Sequence, residues 1–245
     1  MDLTRPRIVL FGGQGSSTIF SPQTAVTAQK DTEICIPGLV LASKCHVAFL
    51  EELSYLGEER RRLLGVDIGR FHRLKDILVP PPDYHHHGLV QSTTLCLYQL
   101  LHYLAEIERS GASFSSSLSP VLEVAGFCAG ILPAVVVAAS DSVQKFMRFG
   151  VEAFRLSFWI GCRATLASRR IVPDQPPEPS WSLVILGLDY EQVARKLRDF
   201  DESVRIPYDL PGILAYSSSR GSGCCVSLRS QHTELSRFLA QGMNF

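Results

Sequence analysis

The sequence predicts an α/β protein built in two parts. Two short apolar, β-branched runs, Arg7–Phe11 (RIVLF) and Val121–Ala125 (VLEVA), each end in glycine, the pattern of a buried parallel strand that stops at a site edge. A proline-rich stretch at 172–180 (VPDQPPEPS) then separates this part from a run of shorter segments, as a linker does between two folded units. With 245 residues, 46% of them hydrophobic, the chain has enough apolar side chain to enclose a real core.

Taken in order, Arg7–Phe11 is the first strand and GGQGSS its closing turn. Residues 39–64 and 89–109 carry helical spacing, and in the second Leu89, Leu97, Leu100, Leu101 and Leu104 supply one apolar face. VPPPDYHHHG between them reads as loop, and GASFSSSLSP as a small-polar linker. Val121–Ala125 is the second strand, followed by Gly126-Phe127-Cys128-Ala129-Gly130 and a long apolar helix from near Ile131. An amphipathic segment covers Val143–Arg163. Beyond the linker come a strand at Trp181–Gly187, a helix at Tyr190–Phe200, strands at Gly212–Tyr216 and Cys224–Leu228, and a helix at His232–Ala240. That order is a split β-α-β module one strand short of closure.

Charge and cysteine usage narrow the function classes. Twenty-four basic residues balance twenty-four acidic ones without a Lys/Arg stripe, so neither nucleic acid nor an anionic membrane surface finds an electrostatic footprint. A spanning helix needs roughly 20 consecutive apolar residues, and the most apolar stretch, between Glu123 and Asp141, is broken by Gly126, Gly130 and Pro133. The N-terminal apolar run is too short for a secretory signal, so a cytoplasmic protein is expected. Seven cysteines, an odd number with no C-x-x-C pair, argue against both a disulfide framework and a zinc site. Consecutive side chains diverge in His85-His86-His87, which speaks against a metal there, and Cys224-Cys225 alternate across a strand.

The segment that carries chemistry is Gly126-Phe127-Cys128-Ala129-Gly130. Between a strand and a helix, this is the context of a nucleophile elbow, with a thiol at the corner and glycines where the backbone passes closely. The N-terminus of the following helix favours the thiolate. The five residues by themselves are equally those of a buried cysteine in a glycine-rich turn. Gly12-Gly13-Gln14-Gly15-Ser16 is either a tight turn or the source of one oxyanion N–H, the second coming from Ala129. It is no Walker loop, since it has no lysine, and Thr18 stands where a dinucleotide fingerprint needs its third glycine.

Together the GGQGS loop, the G-x-C-x-G elbow and the proline-rich hop into a split β-α-β module resemble the starter-unit acyltransferase domain of fungal non-reducing polyketide synthases. The resemblance covers essentially the whole chain, and cysteine in the elbow, where malonyl-loading relatives have serine, points to the starter-loading branch. It implies a hydrolase-like α/β body at 1–171, a linker at 172–180 and a ferredoxin-like small subdomain at 181–245. It also implies ping-pong transfer of a starter acyl group from acyl-coenzyme A or a fatty acid synthase to an acyl carrier protein, without a bound cofactor. Cys128 would be the nucleophile, Gln14 and the Ala129 amide the oxyanion hole, and Gln91 and Arg155 substrate contacts.

Malonyl-loading relatives hold the free carboxylate with an arginine whose position falls here on Ala153. Arg155 lies about 200° further round a helix of 3.6 residues per turn, so an uncharged monoacyl starter is favoured. The family's catalytic histidine follows the small module, and no residue of this sequence up to Phe245 matches it; His232 matches no family motif, and His46, His72 and His102 lie in helical or linking segments. The resemblance therefore implies a C-terminally incomplete fold with its base supplied from elsewhere. An inactive fragment or interaction module, and a cysteine-dependent thioester hydrolase, stand as alternatives.

Overall fold

The computed structural model describes residues 6–13, 22–171, 182–186, 190–203, 213–217 and 223–227. The chain divides into two compact units, Met1–Arg170 and Ile171–Phe245.

The first unit is mostly helical around a small parallel sheet. Strand β1 (Arg7–Phe11) pairs with β2 (Val121–Gly126), Val9 beside Val124 and Phe11 beside Gly126. Helices α1 (Pro22–Ile34), α2 (Ile36–Leu64), α3 (Leu74–Leu78), α4 (Gly88–Arg109) and α5 (Phe114–Leu118) lie between the two strands in sequence, and α6 (Ile131–Ala139) and α7 (Val143–Ile171) follow them. All five leucines expected on the apolar face of α4 are buried. Phe49 of α2 anchors the core, its ring 5.1 Å from that of Phe71 and 5.6 Å from that of Phe158 on α7, both edge-on, the geometry aromatic quadrupoles prefer. Gly57 kinks α2 at φ 74°, ψ 165°, a backbone region essentially closed to other residues.

Several expectations are corrected. The first strand is parallel but not buried: Ile8 and Leu10 are 62% and 71% exposed, and Leu122 on β2 is 75% exposed. Val9, Phe11 and Val124 pack on the core, so this sheet has one covered face. The serine-rich stretch before β2 holds α5, because the Ser113 hydroxyl caps it at the Ser116 N–H (3.2 Å) and Phe114 packs 5.5 Å from Phe146. α1 carries no strong apolar periodicity to announce it; buried Asp31 ties it to α4 by accepting from Arg109 and facing His102 Nδ1 at 3.2 Å. The apolar helix after the elbow has only nine residues, and the amphipathic segment after it runs on to Ile171.

In the second unit, strands β3 (Ser182–Leu186), β4 (Ile213–Ser217) and β5 (Gly223–Ser227) form an antiparallel sheet in the order β3-β5-β4, and helix α8 (Tyr190–Ser203) connects β3 to β4. β5 lies between two strands that are parallel to each other, which is the split β-α-β order the sequence predicts. The linker at 172–180 and the helix expected at His232–Ala240 lie outside the described residues.

Candidate active site

β2 ends at Gly126, Phe127 stays extended, and Cys128–Gly130 make a single tight turn that runs straight into α6. At the corner Cys128 takes φ 55°; among the described residues it alone, apart from glycines, has a left-handed backbone. That conformation costs an L-residue about 1–2 kcal/mol, a strain that places the side chain outward at the end of the strand. Cys128 is exposed, whereas Cys35, Cys45, Cys96 and Cys162 are buried.

Three glycines allow the backbone to close around this corner. A Cβ on Gly126 would lie 2.3 Å from the Gly130 oxygen, and one on Gly130 would lie 2.4 Å from the Phe11 oxygen. A Cβ on Gly13 would lie 2.6 Å from Cys128 Cβ and 2.9 Å from the Phe127 oxygen. Gly13, just after β1, is thereby brought directly against the thiol-bearing residue. The Phe127 N–H donates to the Phe11 carbonyl at 2.9 Å, which continues the sheet one residue into the turn.

The other residues singled out in the sequence take different places. Ala129 is half-buried in the turn immediately after Cys128. Gln14 lies outside the described residues. Gln91, near the start of α4, donates to the His85 carbonyl at 2.7 Å, so its amide serves the loop that precedes its own helix. Two turns further along α4, Gln99 donates to the Gly12 carbonyl at 2.7 Å, and this is the glutamine that reaches the glycine loop. It stands half-buried on the polar side of α4 with Gln91, His102 and Glu106, so nothing in the sequence sets it apart.

Arg155 is bound by Glu51 and Glu52 of α2, and Glu52 also accepts from Trp159 Nε1 at 3.0 Å. Those two carboxylates hold the guanidinium charged and each binds one of its terminal nitrogens, while Ala153 is buried. Four histidine rings each face a partner of their own: His46 Nε2 the Phe71 carbonyl (2.7 Å), His85 Nε2 the Pro80 carbonyl (3.0 Å), His87 Nε2 the Leu64 carbonyl (2.7 Å) and His102 Nδ1 the Asp31 carboxylate. The rings of His85 and His87 thus diverge.

Residues 9–222 match the model of the family described as starter unit:ACP transacylase in aflatoxin biosynthesis. The chain belongs to the starter unit:ACP transacylase family. This transacylase-family chain is 33% identical over 207 residues to orsellinic acid synthase ArmB of Armillaria ostoyae, an alignment covering 80% of this chain and 9% of that protein. It is 30% identical over 159 residues to an orsellinic acid synthase of Beauveria bassiana, covering 63% of this chain and 7% of the relative. Against the non-reducing polyketide synthase atnG of an Arthrinium species it is 30% identical over 215 residues, covering 84% and 10%. The transacylase-family chain thus spans about a tenth of the length of these synthases or less.

Proposed function

We propose that this chain loads a starter acyl group for polyketide assembly, holding it as a thioester on Cys128. The observation that carries this reading is the strained, exposed cysteine at a strand-to-helix corner with Gly13 packed on it, in a chain of the transacylase family.

In the first half-reaction the Cys128 thiolate attacks the carbonyl carbon of an acyl thioester, of coenzyme A or of a fatty acid synthase. The tetrahedral oxyanion is met by N–H donors at Gln14 and Ala129. It collapses by breaking the donor's C–S bond, and the departing thiolate takes up the proton that Cys128 gave away. The second half repeats these steps in reverse with the phosphopantetheine thiol of an acyl carrier protein as acceptor. One thioester replaces another of similar energy, so no net driving force and no metal or redox group is asked for. A general base contributes about 100 to 10,000-fold; cysteine, a few per cent thiolate near neutrality, depends on it less than serine does. The rings of His46, His85, His87 and His102 are engaged elsewhere, so we do not assign the base to any of these four.

In this reading the first unit is the hydrolase-like acyltransferase body and the second a ferredoxin-like module, and the protein works in the cytoplasm. The strand-elbow-helix corner supports the first assignment and the β3-β5-β4 order the second. An uncharged monoacyl group is the substrate class, because the guanidinium that could hold a second carboxylate is already held by two.

Intact-protein mass spectrometry after incubation with a panel of acyl-coenzyme A thioesters tests this. A single acyl adduct that is absent in Cys128→Ala and moves to an added acyl carrier protein is the expected outcome. No adduct on a folded chain identifies a non-catalytic module, and free acid released without an acceptor thiol identifies a hydrolase.

A further inference from the structure

We infer that Gln99 is a positioning residue for the transfer: by holding the Gly12 carbonyl it sets the orientation of the peptide that leads into the oxyanion loop. This rests on the acyl-transfer reading above. Gln99 is half-buried on the polar side of α4, and its Nε2 donates to the Gly12 oxygen at 2.7 Å.

A Cβ on Gly12 would find no atom within 4 Å, so no side-chain packing holds this residue, although its carbonyl oxygen lies against Gly130. A pair of hydrogen bonds on successive carbonyls orients the segment, Phe11 accepting from the Phe127 N–H in the elbow and Gly12 accepting from Gln99 on the helix. In a planar trans peptide the C=O and N–H point to opposite sides. A Gly12 carbonyl turned to α4 therefore turns the Gly13 N–H away from it, at the residue that touches Cys128. One amide 2.7 Å from one carbonyl fixes the direction of a donor beside the nucleophile.

The other end of the side chain supports the same conclusion. Gln99 Oε1 is buried without a hydrogen-bond partner among the described residues. A buried acceptor without a partner is costly, and the bond that Nε2 makes to Gly12 is the contact that offsets it.

The test uses the 245-residue chain as Gln99→Leu and as Gln99→Glu, the second keeping the shape but presenting an acceptor to the Gly12 carbonyl. Three rates are compared with the unaltered chain: acylation of Cys128 by acetyl-coenzyme A, alkylation of Cys128 by iodoacetamide, which develops no oxyanion, and amide exchange at Gly13. Acylation at least tenfold slower, alkylation within twofold and Gly13 exchange at least tenfold faster are expected. Adding Gly12→Ala, a methyl group in open space that narrows backbone freedom, should return part of the lost acylation to Gln99→Leu. Unchanged acylation, or acylation and alkylation falling together, overturns the inference. If the unaltered chain accepts no acyl group, the transfer reading fails on its own, and an unchanged Gly13 exchange rate in the variants then overturns the positioning role separately.

Discussion

Gly130 faces the Phe11 carbonyl so closely that a Cβ on Gly130 would lie 2.4 Å from its oxygen and 2.6 Å from the Gly12 oxygen. Both obstacles are backbone, which moves only if β1 and the turn separate. Gly130→Ala is therefore expected to cost about 1–3 kcal/mol, the usual range for overpacking, and to slow Cys128 acylation more than iodoacetamide alkylation. Urea unfolding with both rate measurements checks it.

The left-handed backbone of Cys128 makes a second prediction. Glycine has no steric penalty at φ 55°, while alanine keeps it. Cys128→Gly should be about 1 kcal/mol more stable than Cys128→Ala, and neither should form an acyl adduct. Equal unfolding midpoints for the two variants would remove the strain argument.

The thiols differ in environment. Burial pushes Cys35, Cys45 and Cys162 above the usual thiol range and Cys96 up to about 12. Among these five described cysteines, iodoacetamide at neutral pH should modify Cys128 at least tenfold faster than any of the buried four, as read by peptide mapping of the folded chain.

His87 sets a direction for acid stability. Burial holds its pKa below 6.5, against the opposing pull of the Leu64 carbonyl that it bonds. The unfolded chain thus takes up a proton near pH 6.5 that the folded chain refuses, so stability is lost as pH falls through that value, down to the folded pKa. Melting temperature should fall between pH 7.5 and 5.5, and less steeply in His87→Gln. An identical slope in the variant would assign the acid sensitivity to other groups.

Arg155 joins α7 to α2 and is bound by two carboxylates. Arg155→Ala should cost about 1 kcal/mol, the upper end for a partly exposed ion pair, with the ratio of malonyl to acetyl loading unchanged. A shift in that ratio would return Arg155 to the substrate site.

The parts that were legible in the sequence are those with strong local signals. β1 and β2 were marked by β-branched runs ending in glycine, α4 by its leucine spacing, and the elbow by paired glycines around Cys128. The split β-α-β order followed from the alternation of segment types. The exposure of Ile8 and Leu10 could not be read, because an apolar run does not say how many neighbours its sheet has. α1 could not be read because it carries no apolar stripe; what the sequence does not show is that Asp31, buried beside Ala28 and Thr32, meets Arg109 and His102 of α4. Gln99 could not be read for a related reason: its partner, the Gly12 carbonyl, lies 87 positions away in the chain and carries no side-chain signal.

The register that places Arg7 beside Val121 also orders events in time. With translation at about 5–20 residues per second, β1 waits roughly 5 to 20 s for its only described partner strand to be made. The helices α1 to α5 are all synthesised within that interval. The strand-to-helix corner thus emerges into a chain whose helices α1 to α5 are already made, while α6 and α7, which bring Val136, Phe154 and Phe158 to the same core, are still to come.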